Sequence, residues 1–197
     1  PTVFEANAAL GGMLRYGLSR HRCPRDIVDA EIQRILDMGV EVRLNTRVGT
    51  DVSADDLEKE FDAVFWGIGA QGSQSLPVSG GDAPNCVSGL TFLRAANTGW
   101  LKYLSGRVLV IGGGDTAMDC AAVALRLGAG SDLTAEHRVD AVFGGGEQPE
   151  LQESLTASAD AWIVYRRPIA MAPATREEID YVLEEGVQIH DGLAPVE

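Results

Sequence analysis

The chain has 197 residues, 45% of them apolar, which is enough for one large packed domain or parts of two and excludes a disordered chain. Its formal net charge of −13 excludes nucleic acid and anionic membrane as partners. Cys23, Cys86 and Cys120 stand far apart with no C-x-x-C, which excludes a disulfide framework, a zinc site and a redox dithiol. With no stretch apolar enough to span a bilayer and no signal peptide, the expected compartment is a reducing cytoplasm.

In chain order, residues 2–5 read as a short strand ending in an acid. Residues 6–17 read as a small-residue connection, with Gly11, Gly12 and Gly17 as tight points. Pro24 opens a helix whose Ile27, Val28, Ile32, Ile35 and Leu36 share one face, and Gly39 stops it. Residues 40–44 alternate as a strand, 57–61 form a short polar helix, and 63–66 form a strand emptying into Gly67, Ile68, Gly69 and Ala70. After a turn-rich stretch, 90–97 is helical.

Residues 108–111 form an apolar run that reads as a fully buried strand. It passes into Gly112, Gly113 and Gly114 and then into a helix with Met118, Ala121, Ala122 and Leu125 on its apolar face. This G-x-G-x-x-A spacing opens a dinucleotide-binding βαβ unit. Gly112 permits the turn, Gly114 lets the backbone approach a pyrophosphate, and Ala117 lets the helix lie close to the strand. The helix-start N–H groups near Asp115 and Thr116 then face phosphate. Residues 130–161 follow as an insertion with a glycine centre, Gly144 to Gly146, and seven acids against one Arg138. Asp160 is among those acids. Residues 162–165 are the next strand, ending in Arg166 and Arg167. Thr175 and Glu178 form a capping box. Ile179, Val182 and Leu183 face inward, Gly186 stops the helix, and 187–189 is a strand.

Two stretches echo one another. EI-x-x-IL-x-x-GV-x-V from Glu31 matches EI-x-x-VL-x-x-GV-x-I from Glu178, and a strand precedes each. The chain therefore holds two copies of a strand, connection, helix and strand. In dinucleotide folds an acid at the end of the second strand binds ribose hydroxyls, and an arginine there accepts a 2′-phosphate. Glu5 suits FAD or NAD; Arg166 and Arg167 suit NADP. Counting about twenty residues from the glycines lands on Asp132 instead, which favours NAD. That stretch lacks strand pattern, so the arginine pair is preferred.

GGMLRYGL, VEVRLNTRVG, FDAVFWGIGAQ, SGLTFLRAAN, VLVIGGGDTAMDCA and VYRR occur in the order seen in the flavoprotein family that resembles the glutamate synthase small (β) subunit. The resemblance covers nearly all of the chain outside 130–161. It implies an α/β fold with Rossmann-like domains, an NADP-binding domain being inserted in an FAD-binding domain that is incomplete here. Residues 1–104 would be the partial FAD domain and 105–197 the partial NADP domain. By that resemblance Glu5 meets the FAD ribose, Gly12, Leu14 and Arg22 line the flavin side, Val48 lies by the adenine, and Gly69 and Ala70 return to the flavin. Gly112, Gly113, Gly114, Asp115, Thr116, Ala117, Arg166 and Arg167 would hold NADPH. Ser19, Cys23 and Ala172 depart from the family pattern, as does the insertion. The first glycine fingerprint would precede Pro1, so the chain is expected to be the interior of a longer protein.

The implied chemistry is hydride transfer from NADPH to flavin, with electrons passing to an iron–sulfur domain or subunit; a larger catalytic subunit is a candidate partner. It calls for no protein acid, base, nucleophile or metal. His21, His137 and His190 read as surface or loop histidines. The rival readings are an NADP(H)-binding module without turnover, which lack of yellow colour in the purified protein would reveal, and a simple NADP-dependent dehydrogenase, for which no catalytic residue stands out.

Overall fold

The computed structural model describes residues 1–73, 75–129 and 159–196. The chain divides into two compact units, Pro1–Gly72 and Ser73–Glu197. In the first, β1 (Thr2–Phe4) pairs in parallel with β2 (Glu41–Arg43), placing Val3 opposite Val42. The ladder runs on past the strands, with Glu5 N donating to Arg43 O at 3.0 Å and Thr46 N to Glu5 O at 2.9 Å. Between them lie α1 (Gly12–Tyr16) and α2 (Arg25–Leu36). Pro24 sits just outside α2 as its N-cap. Ser53 starts α3 (Ala54–Glu60) by accepting from Asp56 N at 3.0 Å. Phe61, just past α3, meets Phe4 edge to face at 5.9 Å.

The second unit carries a three-stranded parallel sheet in the order β3 (Arg107–Ile111), β4 (Asp160–Tyr165), β5 (Gln188–Asp191). α5 (Asp115–Ala129) connects toward β4, and α6 (Arg176–Glu184) joins β4 to β5. Both helices bury their apolar stripes on one sheet face. Met118, Ala121, Ala122 and Ala124 pack with Ala161, Ile163, Ile179 and Val182. α4 (Gly89–Asn97) packs on the far side of α5, where Leu93 meets Cys120 and Val123. Parallel strands with helical crossovers in this order are half of a doubly wound Rossmann-like sheet, as expected.

Several expectations change. β3 is not fully buried: Leu109 is 55% and Ile111 41% exposed, because the helices cover only the alternate face, that of Val108 and Val110. On the uncovered face Arg107 lies over the Trp162 ring at 4.3 Å, and His190 packs against that ring at 4.6 Å. His190 is therefore a strand residue, half-buried, rather than a loop or surface one. β4 begins at Asp160, so Asp160 and Ala161 belong to the sheet and not to the insertion. Asp160 takes an N–H from Arg107 at 3.1 Å and from the Trp162 indole at 2.8 Å. Ala159, just before Asp160, is described and buried, and residues 130–158 of the expected insertion lie outside the described residues.

Residues 63–66 form no strand, and Phe65 is 93% exposed. A strand exists only where a neighbour takes its backbone bonds, and β1 and β2 pair only with each other among the described residues. For the same reason the α2 stripe is only partly covered: Val28 is buried while Ile27 and Ile35 are exposed. Leu183 of α6 also faces solvent. Residues 12–16 are helix rather than connection. Gly17 caps α1 in a turn and is a tight point through packing rather than a positive φ: its φ is −102°, and an added Cβ would lie 2.1 Å from Met13 Cε.

The internal echo is structural. Both copies are strand, helix and parallel strand, and their helices stop at Gly39 (φ 87°) and Gly186 (φ 95°). Val3 faces Val42 as Ile163 faces Ile189. That register puts Glu5 level with Tyr165, so the arginine pair begins one residue beyond the level of the acid.

Candidate nucleotide-binding site

At the carboxyl end of β3 the ladder extends one bond further, Gly112 N donating to Val164 O at 3.0 Å. Gly112 then turns with a φ of 149°, and an added Cβ there would lie 3.4 Å from Ala117 Cβ. This is the tight turn and close helix expected from the spacing. The middle glycine has a role that the spacing does not reveal. A Cβ on Gly113 would stand 2.6 Å from Cδ2 and Cε2 of Tyr165, so the loop rests directly on that ring. A Cβ on Gly114 would meet no atom of the described residues within 4 Å. Gly114 is thus unnecessary for packing and leaves its side open. The amides of Gly113, Gly114, Asp115 and Thr116 donate to no backbone carbonyl of the described residues. Unspent donors at the start of a 15-residue helix, beside an open glycine, fit a bound phosphate group.

Arg166 and Arg167 follow β4 directly, and both are exposed. Neither side chain has an ion pair or hydrogen bond with a described residue. The corner that bears them is tied to the glycine loop. Ala174 N donates to Gly113 O at 3.1 Å, and Thr175 N donates to Asp115 Oδ1 at 3.2 Å. Half of the expected capping box is present, with Thr175 Oγ1 accepting from Glu178 N at 3.3 Å. The Thr175 N–H goes to Asp115 across 60 residues of sequence, a partner that no local motif indicates. The Tyr165 hydroxyl donates to Met171 O at 3.3 Å.

The flavin-side residues expected in the first unit are less organised. Glu5 Oε1 accepts from Asn7 N and Asn7 Nδ2, each at 2.7 Å, so this carboxylate shapes its own turn. Gly12 begins α1, and Leu14 is 54% exposed with its carbonyl taken by Arg25 Nη1 at 2.8 Å. Arg22 is exposed and Val48 makes an isolated bridge to Val52. Gly69 and Ala70 lie on an exposed segment without strand partners. Sequence reasoning passed over Arg25. Its Nη1 also donates to Cys23 O at 2.7 Å and its Nη2 to Leu18 O at 2.8 Å, clamping the 14–23 loop. Burial, with Arg20 and Arg15 nearby, lowers the pKa of this guanidinium.

The three cysteines are free thiols. Burial, with a smaller contribution from Asp119, pushes the Cys120 thiol up to about 12, so it packs as an inert apolar group against α4.

Residues 30–194 match the family model described as pyridine nucleotide-disulphide oxidoreductase. The chain is 37% identical over 192 residues to the NADP(+)-dependent formate dehydrogenase subunit beta of Moorella thermoacetica, covering 96% of this chain and 23% of that protein. It is 33% identical over 199 residues to the NADPH-Fe(3+) oxidoreductase subunit beta of Geobacter sulfurreducens (98% and 25%). It is 31% identical over 209 residues to the glutamate synthase [NADPH] small chain of Escherichia coli (98% and 37%). The chain thus spans 23% to 37% of these relatives' lengths. Its fold is similar to that of Mycobacterium tuberculosis FprA, solved in complex with NADPH, with a TM-score of 0.68 at 22% identity, covering 93% of this chain and 40% of that one. The chain belongs to the pyridine nucleotide-disulphide oxidoreductase family, whose cofactors are FAD and NADP(H).

Proposed function

We propose that the chain is the cofactor-binding part of an NADPH-dependent flavin oxidoreductase of the glutamate synthase small-subunit type. Residues 105–197 belong to the NADP domain and 1–104 to the FAD domain into which it is inserted. The observation that carries the reading is that the amides at 113–116 and the side chains of Arg166 and Arg167, one corner away at the ends of adjacent strands, are all without partners among the described residues. The amides receive the pyrophosphate, and the two guanidinium groups receive the 2′-phosphate. Glu5, Gly12, Leu14, Arg22, Val48, Gly69 and Ala70 serve the flavin side. When bound, the cofactors supply the redox chemistry, a hydride passing from nicotinamide to flavin; the protein's part is to orient them.

The relatives named as beta subunits or a small chain support a larger partner subunit. An iron–sulfur acceptor is the natural destination for electrons in a chain without a dithiol. The separate free thiols also fit a reducing cytoplasm, and no helix among the described residues is long and apolar enough to cross a membrane. The test is anaerobic addition of NADPH to the FAD-loaded protein. Bleaching of the flavin absorbance supports hydride transfer; unchanged flavin with saturable NADPH binding replaces it with nucleotide binding without turnover. The exposed 63–70 segment, with Phe65 at 93% and Ile68 at 73%, favours that second reading for the chain by itself.

A further inference from the structure

The corner bearing the arginine pair is fastened to the end of β5 by three hydrogen bonds. Leu193 N donates to Tyr165 O at 3.1 Å, just before the pair, and Gly192 N donates to Arg167 O at 3.5 Å, within it. The third bond involves a side chain: Ile169 N donates to Asp191 Oδ2 at 2.6 Å. Ile169 opens the 3-10 turn Ile169–Met171, whose cap residue Pro168 has no hydroxyl or carboxylate to offer. Asp191 supplies that missing cap from another strand, where it stands opposite Tyr165. With the Pro168 ring fixing φ at −51°, the path from Tyr165 to Ile169 is held at both ends.

Asp191 thus stands beside the backbone corner that carries Arg166 and Arg167, and its carboxylate pairs with neither side chain among the described residues. The amide bond fixes where this carboxylate stands without removing its charge.

We propose that Asp191 is a positioning residue for NADP preference: its bond to the Ile169 amide holds the Arg166–Arg167 corner in place to receive a 2′-phosphate that Asp191 itself never touches. This rests on the NADP reading above. Because the mechanism needs only an oxygen acceptor, an asparagine replaces the aspartate and an alanine does not. Loss of one charge-assisted hydrogen bond at an exposed corner is expected to weaken NADPH about fivefold, while NADH, which lacks the 2′-phosphate, is expected to shift less than about twofold.

The experiment measures NADPH and NADH dissociation constants for the full chain and for Asp191→Ala, Asp191→Asn and the Arg166→Ala/Arg167→Ala double variant. Amide exchange at Ile169 is followed by NMR without ligand. The proposal expects selective NADPH weakening and faster Ile169 exchange in Asp191→Ala, with both restored in Asp191→Asn. Equal weakening of the two cofactors, or tighter NADPH binding in Asp191→Ala, overturns it, the latter showing the carboxylate to be a mere repulsive neighbour. Should the double arginine variant lose NADPH and NADH equally, the NADP reading itself fails. The exchange measurement then decides the capping role alone, and unchanged Ile169 exchange overturns that too.

Discussion

A methyl group at Gly113 would stand 2.6 Å from the Tyr165 ring, and one at Gly114 would meet no described residue within 4 Å. Adjacent glycines with the same composition signal therefore have opposite consequences. Gly113→Ala is expected to displace the loop from Tyr165 and destabilise the fold by about 1–3 kcal/mol, the usual cost of overpacking. Gly114→Ala is expected to leave thermal unfolding unchanged and to weaken NADPH binding. If Gly114→Ala lowers Tm as much as Gly113→Ala, the loop is not open where the geometry places it open. A second residue-level prediction concerns Cys120. Its thiol ionises near 9 when unfolded and near 12 when folded. Below pH 9 both states are neutral. From about pH 9 to about 12 the unfolded chain loses its proton first, so stability falls as pH rises through that window. Cys120→Ala is expected to flatten this alkaline loss, as read by chemical denaturation at pH 8 and pH 10.5. An equal loss in the variant would assign it to other groups. Alkylation at neutral pH is expected at exposed Cys86 and not at Cys120.

Among the elements, those whose partners are encoded locally were legible in the sequence. The glycine turn, α5 and α6 with its Thr175 cap follow from spacing within single elements, and the two strand–helix–strand copies follow from a repeated helix–glycine–strand pattern. What was not legible depends on which surface meets which. Leu109, Ile111 and Leu183 have the right chemistry for a core, but no layer covers them among the described residues. The 63–66 run has strand composition but no ladder partner there. The ties between elements, Thr175 N to Asp115 and Ile169 N to Asp191, cross 60 and 22 residues and leave no local pattern. At this scale α6 offers a test. Thr175→Val keeps the side-chain shape and removes the hydroxyl that accepts from Glu178 N. The expected loss is about 1 kcal/mol in unfolding free energy. A loss near zero would show that the Asp115 contact alone holds the start of the helix.

Across the whole molecule, the two copies of one supersecondary unit have settled differently. The second is backed by a continuous core built on Met118, Ile163 and Val182; in the first, Val28 alone is buried on α2. The expected consequence is that this chain holds NADPH well and FAD poorly. Stoichiometric flavin in protein purified as the 197-residue chain would contradict that asymmetry. The account's central claim is narrower: the glycine loop and the arginine pair read one nucleotide together, the pair reading its 2′-phosphate. The direct measurement is the ratio of NADH to NADPH dissociation constants, taken at fixed ionic strength in the parent and in the Arg166→Ala/Arg167→Ala double variant. The account predicts that the parent prefers NADPH and that the double variant brings the ratio close to one by losing NADPH affinity while NADH affinity holds. A parent with no preference, or a double variant that keeps the preference intact, would contradict it.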